Sequence, residues 1–341
     1  MRVAIVNDLA LARDVLRRVV RSVPGYVVAW EAVDGDDAVT KAVADRPDVI
    51  LMDLVMPRLD GAEATRQIMR QAPCPVLLVT ATVGGNIALV YRAMSAGALD
   101  AVETPTLGPG GVPHNAEPLV ARLTKLDAAL RGQTGSGFVP VPATKPPSID
   151  VPRIVGVGVS TGGPDALAAV LAALPVGFPA AVVVVQHIAA EYAPGLAEAL
   201  RPRCRLPVRV VASGEVPHPG TVYLAATDDH LELASDLRLR YTPAPHSAPY
   251  RPSVDVLFAS LAARAPRPGV GVLLTGMGTD GADGLLRLRQ IGWHTIAQDE
   301  ATCVVYGMPK AAVERRAATE VLPLGLIGAA VVNQVRSRTR S

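Results

Sequence analysis

The chain has 341 residues, 50% of them hydrophobic, with 33 Lys and Arg against 31 Asp and Glu and a net charge of +2. A balance this even excludes the charge pattern of a protein that binds nucleic acid or an anionic membrane surface, so any partner is recognised by shape and specific groups. The length exceeds the roughly 100–200 residues usual for one domain and predicts two.

Along both halves, short β-rich apolar runs alternate with Ala/Leu/Arg-rich segments of helical period, the pattern of α/β sheets covered by helices. The first half offers strands at Val3–Val6, Tyr26–Trp30, Val49–Met52, Val76–Val79 and Leu99–Val102. Strands alternating with helices over about 130 residues predict a flavodoxin-like (βα)5 doubly wound domain. A linker follows: GQTGSGFVPVPATKPPSID, Gly132 to Asp150, carries three glycines and four prolines and lacks apolar periodicity, a composition that keeps the backbone solvated. The expected boundaries are residues 1–125, a linker over 126–150, and a second domain over 151–341.

The second half offers strands at Ile154–Val157, Ala180–Gln186, Val208–Val211, Thr221–Ala225 and Val270–Leu274. This predicts a second α/β domain with a mainly parallel, Rossmann-like doubly wound sheet. The most apolar stretch, Ala180–Val185, is too short to span a bilayer, and the opening MRVAIVND reads as a strand rather than a signal peptide. Cys74, Cys204 and Cys303 show no CxxC spacing, so neither a disulfide framework nor a thiolate zinc site is expected. A cytoplasmic protein with no direct membrane insertion fits these features.

Open parallel sheets bind ligands at the carboxyl ends of their strands. In the first half those ends carry Asn7-Asp8, Asp53 and Thr80. Carboxylates converging from separate strands make a hard oxygen site suited to Mg2+. The plainer alternative makes Asp8 a helix N-cap before LALARDVLRRVV and Asp53 the start of a loop. Together with DLVMPRLDG, where Pro57 and Gly61 shape a loop before a helix, these residues resemble the receiver domains of two-component response regulators. The resemblance implies that Asp53 accepts a phosphoryl group from a histidine kinase. It also implies Mg2+ held by Asp8, Asp53 and the backbone carbonyl of Val55, with Asn7 as a weak ligand, and Thr80 as the switch residue. The sequence departs from the receiver pattern twice: Asn7 takes one usual acidic place, and Thr104, in VETP, stands where a lysine is usual.

In the second half, GVGVSTGGPDAL, Gly156 to Leu167, follows an apolar run. No lysine follows Gly162-Gly163, as a Walker loop requires, and Thr161 holds the third glycine position of a dinucleotide fingerprint. Gly158-Val159-Ser160-Thr161-Gly162 does fit GxSxG, a nucleophile turn between strand and helix. Serine at a glycine-rich helix start is also a common N-cap, so the pattern alone leaves both readings open.

A serine nucleophile needs a base, and the base needs an orienting acid. His187 follows the apolar run AAVVVVQ and would reach the same sheet edge as Ser160. His114, His218 and His246 fall in loops or near the linker, His294 stays open, and His230 precedes LELA, an expected outer strand. Asp280 follows another buried strand in GVGVLLTGMGTDGADGLL, where it supplies the acid or caps the next helix; Asp283 falls inside that helix.

GVSTGG, VVQH, YRPSVDVLF, LLTGMGTDGADGL and AQDEATCVVYGMP are similar to motifs of the protein-glutamate methylesterases of bacterial chemotaxis, the CheB family. The resemblance implies Ser160 as nucleophile, His187 as general base and acid, Asp280 as the group fixing the imidazole, Thr161 lining the site and the Met277 amide in the oxyanion hole. The implied substrate is a glutamate γ-methyl ester on a methyl-accepting chemoreceptor, with glutamine deamidation by the same chemistry. No cofactor is implied for ester hydrolysis, and the implied kinase is of the CheA type. MRVAIVNDLALARDVLR and GALDAVETPTLGPGG look more like the Wsp-type surface-sensing branch of that family. A docking module that retains the fold without turnover is the alternative reading.

Overall fold

Continuous apolar runs become strands buried on both faces, as parallel sheets under two helix layers require. The computed structural model describes residues 1–81, 87–131 and 153–337, and the chain divides into two units, Met1–Thr134 and Gly135–Ser341.

The first unit runs β1 (Arg2–Val6), α1 (Ala10–Ser22), β2 (Val27–Ala32), α2 (Gly35–Ala44), β3 (Val49–Met52), α3 (Gly61–Gln71), β4 (Val76–Thr80), α4 (Ile87–Ala96), β5 (Asp100–Glu103), a short ribbon of β6 (Thr106–Leu107) and β7 (Pro113–His114), and α5 (Glu117–Leu130). The main sheet has the order β2-β1-β3-β4-β5, with every pair parallel, which is the flavodoxin-like arrangement expected. α1 buries Val15, Leu16, Val19 and Val20, one stripe of its surface, against the sheet. One boundary changes: residues 126–130, assigned above to the linker, are the last turn of α5. The rest of that segment, 132–150, lies outside the described residues.

The second unit begins with β8 (Arg153–Val159), α6 (Gly163–Ala172), β9 (Ala180–Gln186), α7 (Ala193–Leu200), β10 (Val208–Val210) and β11 (Val222–Leu224). It continues with β12 (His230–Leu233), β13 (Leu239–Thr242), α8 (Val254–Arg264), β14 (Val270–Leu273), α9 (Ala282–Gln290), β15 (His294–Gln298), α10 (Met308–Glu314), β16 (Glu320–Leu322) and α11 (Leu324–Ser337). The main sheet has the order β10-β11-β9-β8-β14-β15-β16, parallel throughout. Progression reverses at β8, so the carboxyl ends of β9, β8 and β14 lie side by side at a topological switch point.

Two features differ from the sequence reading. β15 and β16 extend the sheet although their polar residues break any apolar run. The LELA segment is not an outer strand of the main sheet: it pairs with β13 in a separate antiparallel ribbon, and His230 begins that ribbon fully buried. Among the described residues no helix is long and apolar enough to cross a membrane.

Candidate active site

β8 and β9 pair with Val159 opposite Gln186, so the next residue of each strand, Ser160 and His187, emerges at the same edge. β14 pairs with the other side of β8, Leu273 opposite Gly158, and leads through Thr275 and Gly276 to Asp280. Sequence-distant residues thus meet because three neighbouring parallel strands end together.

The nucleophile turn is fixed by its backbone. Ser160 N–H donates to the Thr275 carbonyl at 3.0 Å, and its own carbonyl accepts from Gly163 N–H at 2.9 Å and from Gln186 Nε2 at 2.8 Å. Gly162, with φ +76°, is the N-cap of α6, a left-handed conformation that a residue with a Cβ adopts only with strain. Ser160 is therefore not that helix's cap. Gly276 lets the β14 loop lie against the turn: a Cβ there would fall 2.6 Å from Ser160 Cβ and would also strike Met308 Sδ. Thr275 ties the layers together, its Oγ1 donating to the Thr161 carbonyl at 2.9 Å and accepting from Val304 and Val305 N–H. Thr161 itself is buried, and its Oγ1 has no hydrogen-bond partner among the described residues.

His187 Nε2 and Asp280 Oδ2 are 2.7 Å apart. Asp280 is a buried acceptor, so the shared proton sits on Nε2 and the lone pair on Nδ1. Nδ1 is buried and has no hydrogen-bond partner among the described residues, so the Ser160–His187 bond is not made in this state; such bonds often tighten only around substrate. Tyr250 stacks on the imidazole, ring centroids 4.5 Å apart and planes 2° from parallel.

Asp280 does not cap its own helix, whose N-cap is Gly281. Its carboxylate instead faces the first turn of α8. Oδ1 accepts from Ser253 Oγ at 2.7 Å and Asp255 N–H at 3.1 Å, and Oδ2 accepts from Val254 N–H at 2.7 Å in addition to His187. Burial alone would raise its pKa, but the His187 bond and charge and the Val254 and Ser253 donors outweigh burial and hold it below the usual carboxylate range. Asp255 behaves in the opposite way: burial, and then the Asp280 charge, push it up to about 8. Ser253, Asp255 and Tyr250 were within a quoted motif but carried no role in the sequence reading; only the serine-before-helix pattern pointed at one. Asp283, the weaker candidate, lies on α9 and pairs with Arg315 at 2.8 Å.

In the first unit, Asp53 follows β3 and is buried. Its Oδ1 accepts from Leu54 N–H at 2.7 Å and its Oδ2 from Asn7 Nδ2 at 2.8 Å. Leu9 N–H donates to Asn7 Oδ1 at 2.9 Å, which fixes the amide orientation. Asn7 thus presents a donor to the pocket, not the ligand oxygen expected of it. Asp8 is not a helix cap, since the N-cap of α1 is Leu9. Asp8 acts on Asp53 by charge: burial, with the Asp8 charge adding to it, raises Asp53 to about 6 against the Leu54 and Val55 amides. Thr80 is buried at the end of β4, and its carbonyl accepts from Thr104 N–H at 2.9 Å. A buried carboxyl whose charged form is disfavoured, beside the negative charge of Asp8, is an oxygen donor set of the kind that fits Mg2+.

Comparison with known proteins follows the same division. Residues 155–331 match the CheB methylesterase family and residues 3–106 match the response regulator receiver domain family. A protein-glutamate methylesterase/protein-glutamine glutaminase of Burkholderia thailandensis is 50% identical over 341 residues, which is 100% of this chain and 99% of that one. The chain belongs to the CheB methylesterase family. A Cupriavidus metallidurans relative of the same name is 49% identical over 333 residues, covering 97% of this chain and 98% of its own. The catalytic domain of the Thermotoga maritima CheB methylesterase is 35% identical, with a TM-score of 0.48, over 53% of this chain and 98% of that chain.

Proposed function

We propose that this CheB-family protein hydrolyses glutamate γ-methyl esters on the cytoplasmic domain of a methyl-accepting chemoreceptor, and deamidates receptor glutamines, under control of Asp53 phosphorylation. The observation that carries the reading is the 2.7 Å His187–Asp280 bond, which leaves His187 Nδ1 buried and without a hydrogen-bond partner among the described residues, at the strand end next to that of Ser160.

Ser160 Oγ attacks the ester carbonyl while His187 Nδ1 takes its proton; Asp280, kept ionised by its donors, stabilises the imidazolium. The Met277 amide, next to the glycine packed on Ser160, serves as an oxyanion donor, and Thr161 lines the site. The imidazolium returns the proton to the departing methoxide, releasing methanol, and a water activated by the same nitrogen clears the acyl-enzyme to give the carboxylate. With a glutamine substrate, ammonia leaves instead. Full-length relatives of the same name at 50% identity support this assignment.

In the first unit, Asp53 is the phosphoacceptor for a CheA-type histidine kinase and Thr80 the switch residue. Mg2+ held by Asp8, Asp53 and the Val55 carbonyl would offset the charge of the transferring phosphoryl group. Methanol release from a methylated receptor fragment tests the esterase reading: loss in Ser160→Ala supports it, and equal release by both proteins refutes it. Mass spectrometry after incubation with a small phosphodonor and Mg2+ tests the receiver: wild type gains a phosphoryl group and Asp53→Asn does not.

A further inference from the structure

His230 is a histidine with no part in the proposed reaction, yet it is fully buried close to the groups that hold the triad acid. Its Nδ1 accepts from Ser253 N–H at 3.1 Å, and its Nε2–H donates to the Pro245 carbonyl at 3.2 Å. A donor on one side and an acceptor on the other select one form of the ring, the neutral Nε2–H tautomer. Burial favours the same form by holding the His230 pKa below the ordinary histidine value.

Ser253 is the N-cap of α8. Ser253, Val254 and Asp255 supply three of the four hydrogen bonds to the Asp280 carboxylate. A carboxylate offers about four lone-pair sites, so Asp280 has little freedom except to move with those three residues. Their position is fixed from behind through the Ser253 amide. A phenyl ring could make neither bond: it would leave Ser253 N–H without its acceptor and the Pro245 carbonyl with only the Ala248 N–H that it also accepts at 3.2 Å.

We propose that His230 is a positioning residue: by holding the Ser253 amide it sets the first turn of α8 against Asp280, and through Asp280 it orients His187. This rests on the triad chemistry proposed above. The two bonds of His230 form the back of a chain that runs from Pro245 through Ser253 and Asp280 to the imidazole that serves Ser160.

Two variants of the full chain test the proposal. His230→Phe removes both hydrogen bonds while keeping a ring; His230→Asn retains an acceptor for Ser253 N–H. Each is read by kcat and KM for methanol release per folded molecule, and by the downfield proton resonance of the His187–Asp280 bond, assigned by its loss in His187→Ala. In His230→Phe, kcat falls on the order of tenfold, short of the ~100-fold that a misplacement of ~1 Å costs, KM stays unchanged, and the resonance shifts. His230→Asn stays close to wild type on all three. Wild-type kcat and an unmoved resonance in His230→Phe would overturn the proposal, as would equal losses of kcat per folded molecule in the two variants. If wild type releases no methanol, the proposed function fails, and the resonance alone then decides the role of His230.

Discussion

Asp255 makes the acid cradle testable through pH. It sits one residue into α8, its Oδ1 accepting from Gly284 N–H at 2.6 Å while its N–H serves Asp280. Burial and the Asp280 charge push its carboxyl up to about 8 against the Gly284 and Gly281 amides, whereas in an unfolded chain an aspartate titrates near 4. The folded chain therefore binds this proton more tightly than the unfolded one. The stability associated with it is complete below about pH 4 and declines as pH rises to about 8, where the folded carboxyl ionises too. Each pH unit in that window is about 1.4 kcal/mol, so by pH 7 the proton linkage amounts to ~4 kcal/mol. Asp255→Asn removes the linkage and keeps the acceptor for Gly284. Its new amide donor needs a partner, which offsets about 1–3 kcal/mol. The variant should be more stable than wild type by roughly 1–3 kcal/mol at pH 7 to 8, and a kilocalorie shifts Tm by about 2–4 °C in a domain of this size. Differential scanning fluorimetry of both proteins from pH 4 to 9 should show the variant's Tm below wild type near pH 4, crossing it as pH rises and lying above it at pH 7 to 8. Parallel curves, or a variant less stable at pH 8, would refute the assignment of a neutral Asp255 beside an ionised Asp280.

Other perturbations probe neighbouring contacts. Ser253→Ala deletes the 2.7 Å donor to Asp280 Oδ1; a bond to a charged group contributes about 1.5–3 kcal/mol, so kcat for methanol release should fall about tenfold or more, and an unchanged kcat would contradict the cradle. Tyr250→Phe keeps the ring stacked on His187 and should keep activity, whereas Tyr250→Leu loses a stacking contribution of about 0.5–1.5 kcal/mol and should lower kcat several-fold; equal rates in the two would remove the stack from the account. Asn7→Asp replaces the amide donor at 2.8 Å from Asp53 Oδ2 with a carboxylate. Its Tm should fall in EDTA and recover with Mg2+, and a fall that Mg2+ does not reverse would argue against a cation at this pocket.

The main sheets were legible because their strands are continuous apolar runs: VILM at β3 and AAVVVVQ at β9 are buried along their whole length. β15, HTIAQ, is equally buried but carries His294, Thr295 and Gln298: Gln298 Oε1 accepts from Thr275 N–H, Thr295 Oγ1 donates to the Ala317 carbonyl, and His294 Nε2 lies 3.0 Å from Glu320 Oε1. Those contacts come from residues remote in sequence, so no run or period announces the strand. The same distinction separates the triad candidates from their supports. Ser160, His187 and Asp280 each follow an apolar run at a turn, which places them at one sheet edge. The cradle around Asp280 is built largely from backbone N–H groups of Val254 and Asp255, which every residue type carries, and from a His230 ring that local sequence placed before an outer strand. Capping rules misled for a related reason. Asp8, Ser160 and Asp280 all precede helices, yet the caps are Leu9, Gly162 and Gly281, and the polar side chains face groups elsewhere.

The two key carboxylates are buried to a similar degree and have opposite electrostatics, and the difference follows from what surrounds them. Asp280 has four hydrogen-bond donors within 3.1 Å, three from one helix start and one from an imidazole that can become cationic. Its negative charge is stabilised at every lone pair, as suits a group that must remain ionised while a neighbouring histidine gains a proton. Asp53 has the Leu54 and Val55 amides and the neutral Asn7 amide against burial and the charge of Asp8, and its pKa rises to about 6. A carboxylate that is to attack phosphorus must be ionised as well, but here the protein supplies too few donors to hold the charge alone. A bound cation would make up that deficit. On this reading the acid of the esterase is set permanently by folding, while the acid of the receiver is left dependent on an ion, a difference suited to a catalytic group in one unit and a signal-receiving group in the other.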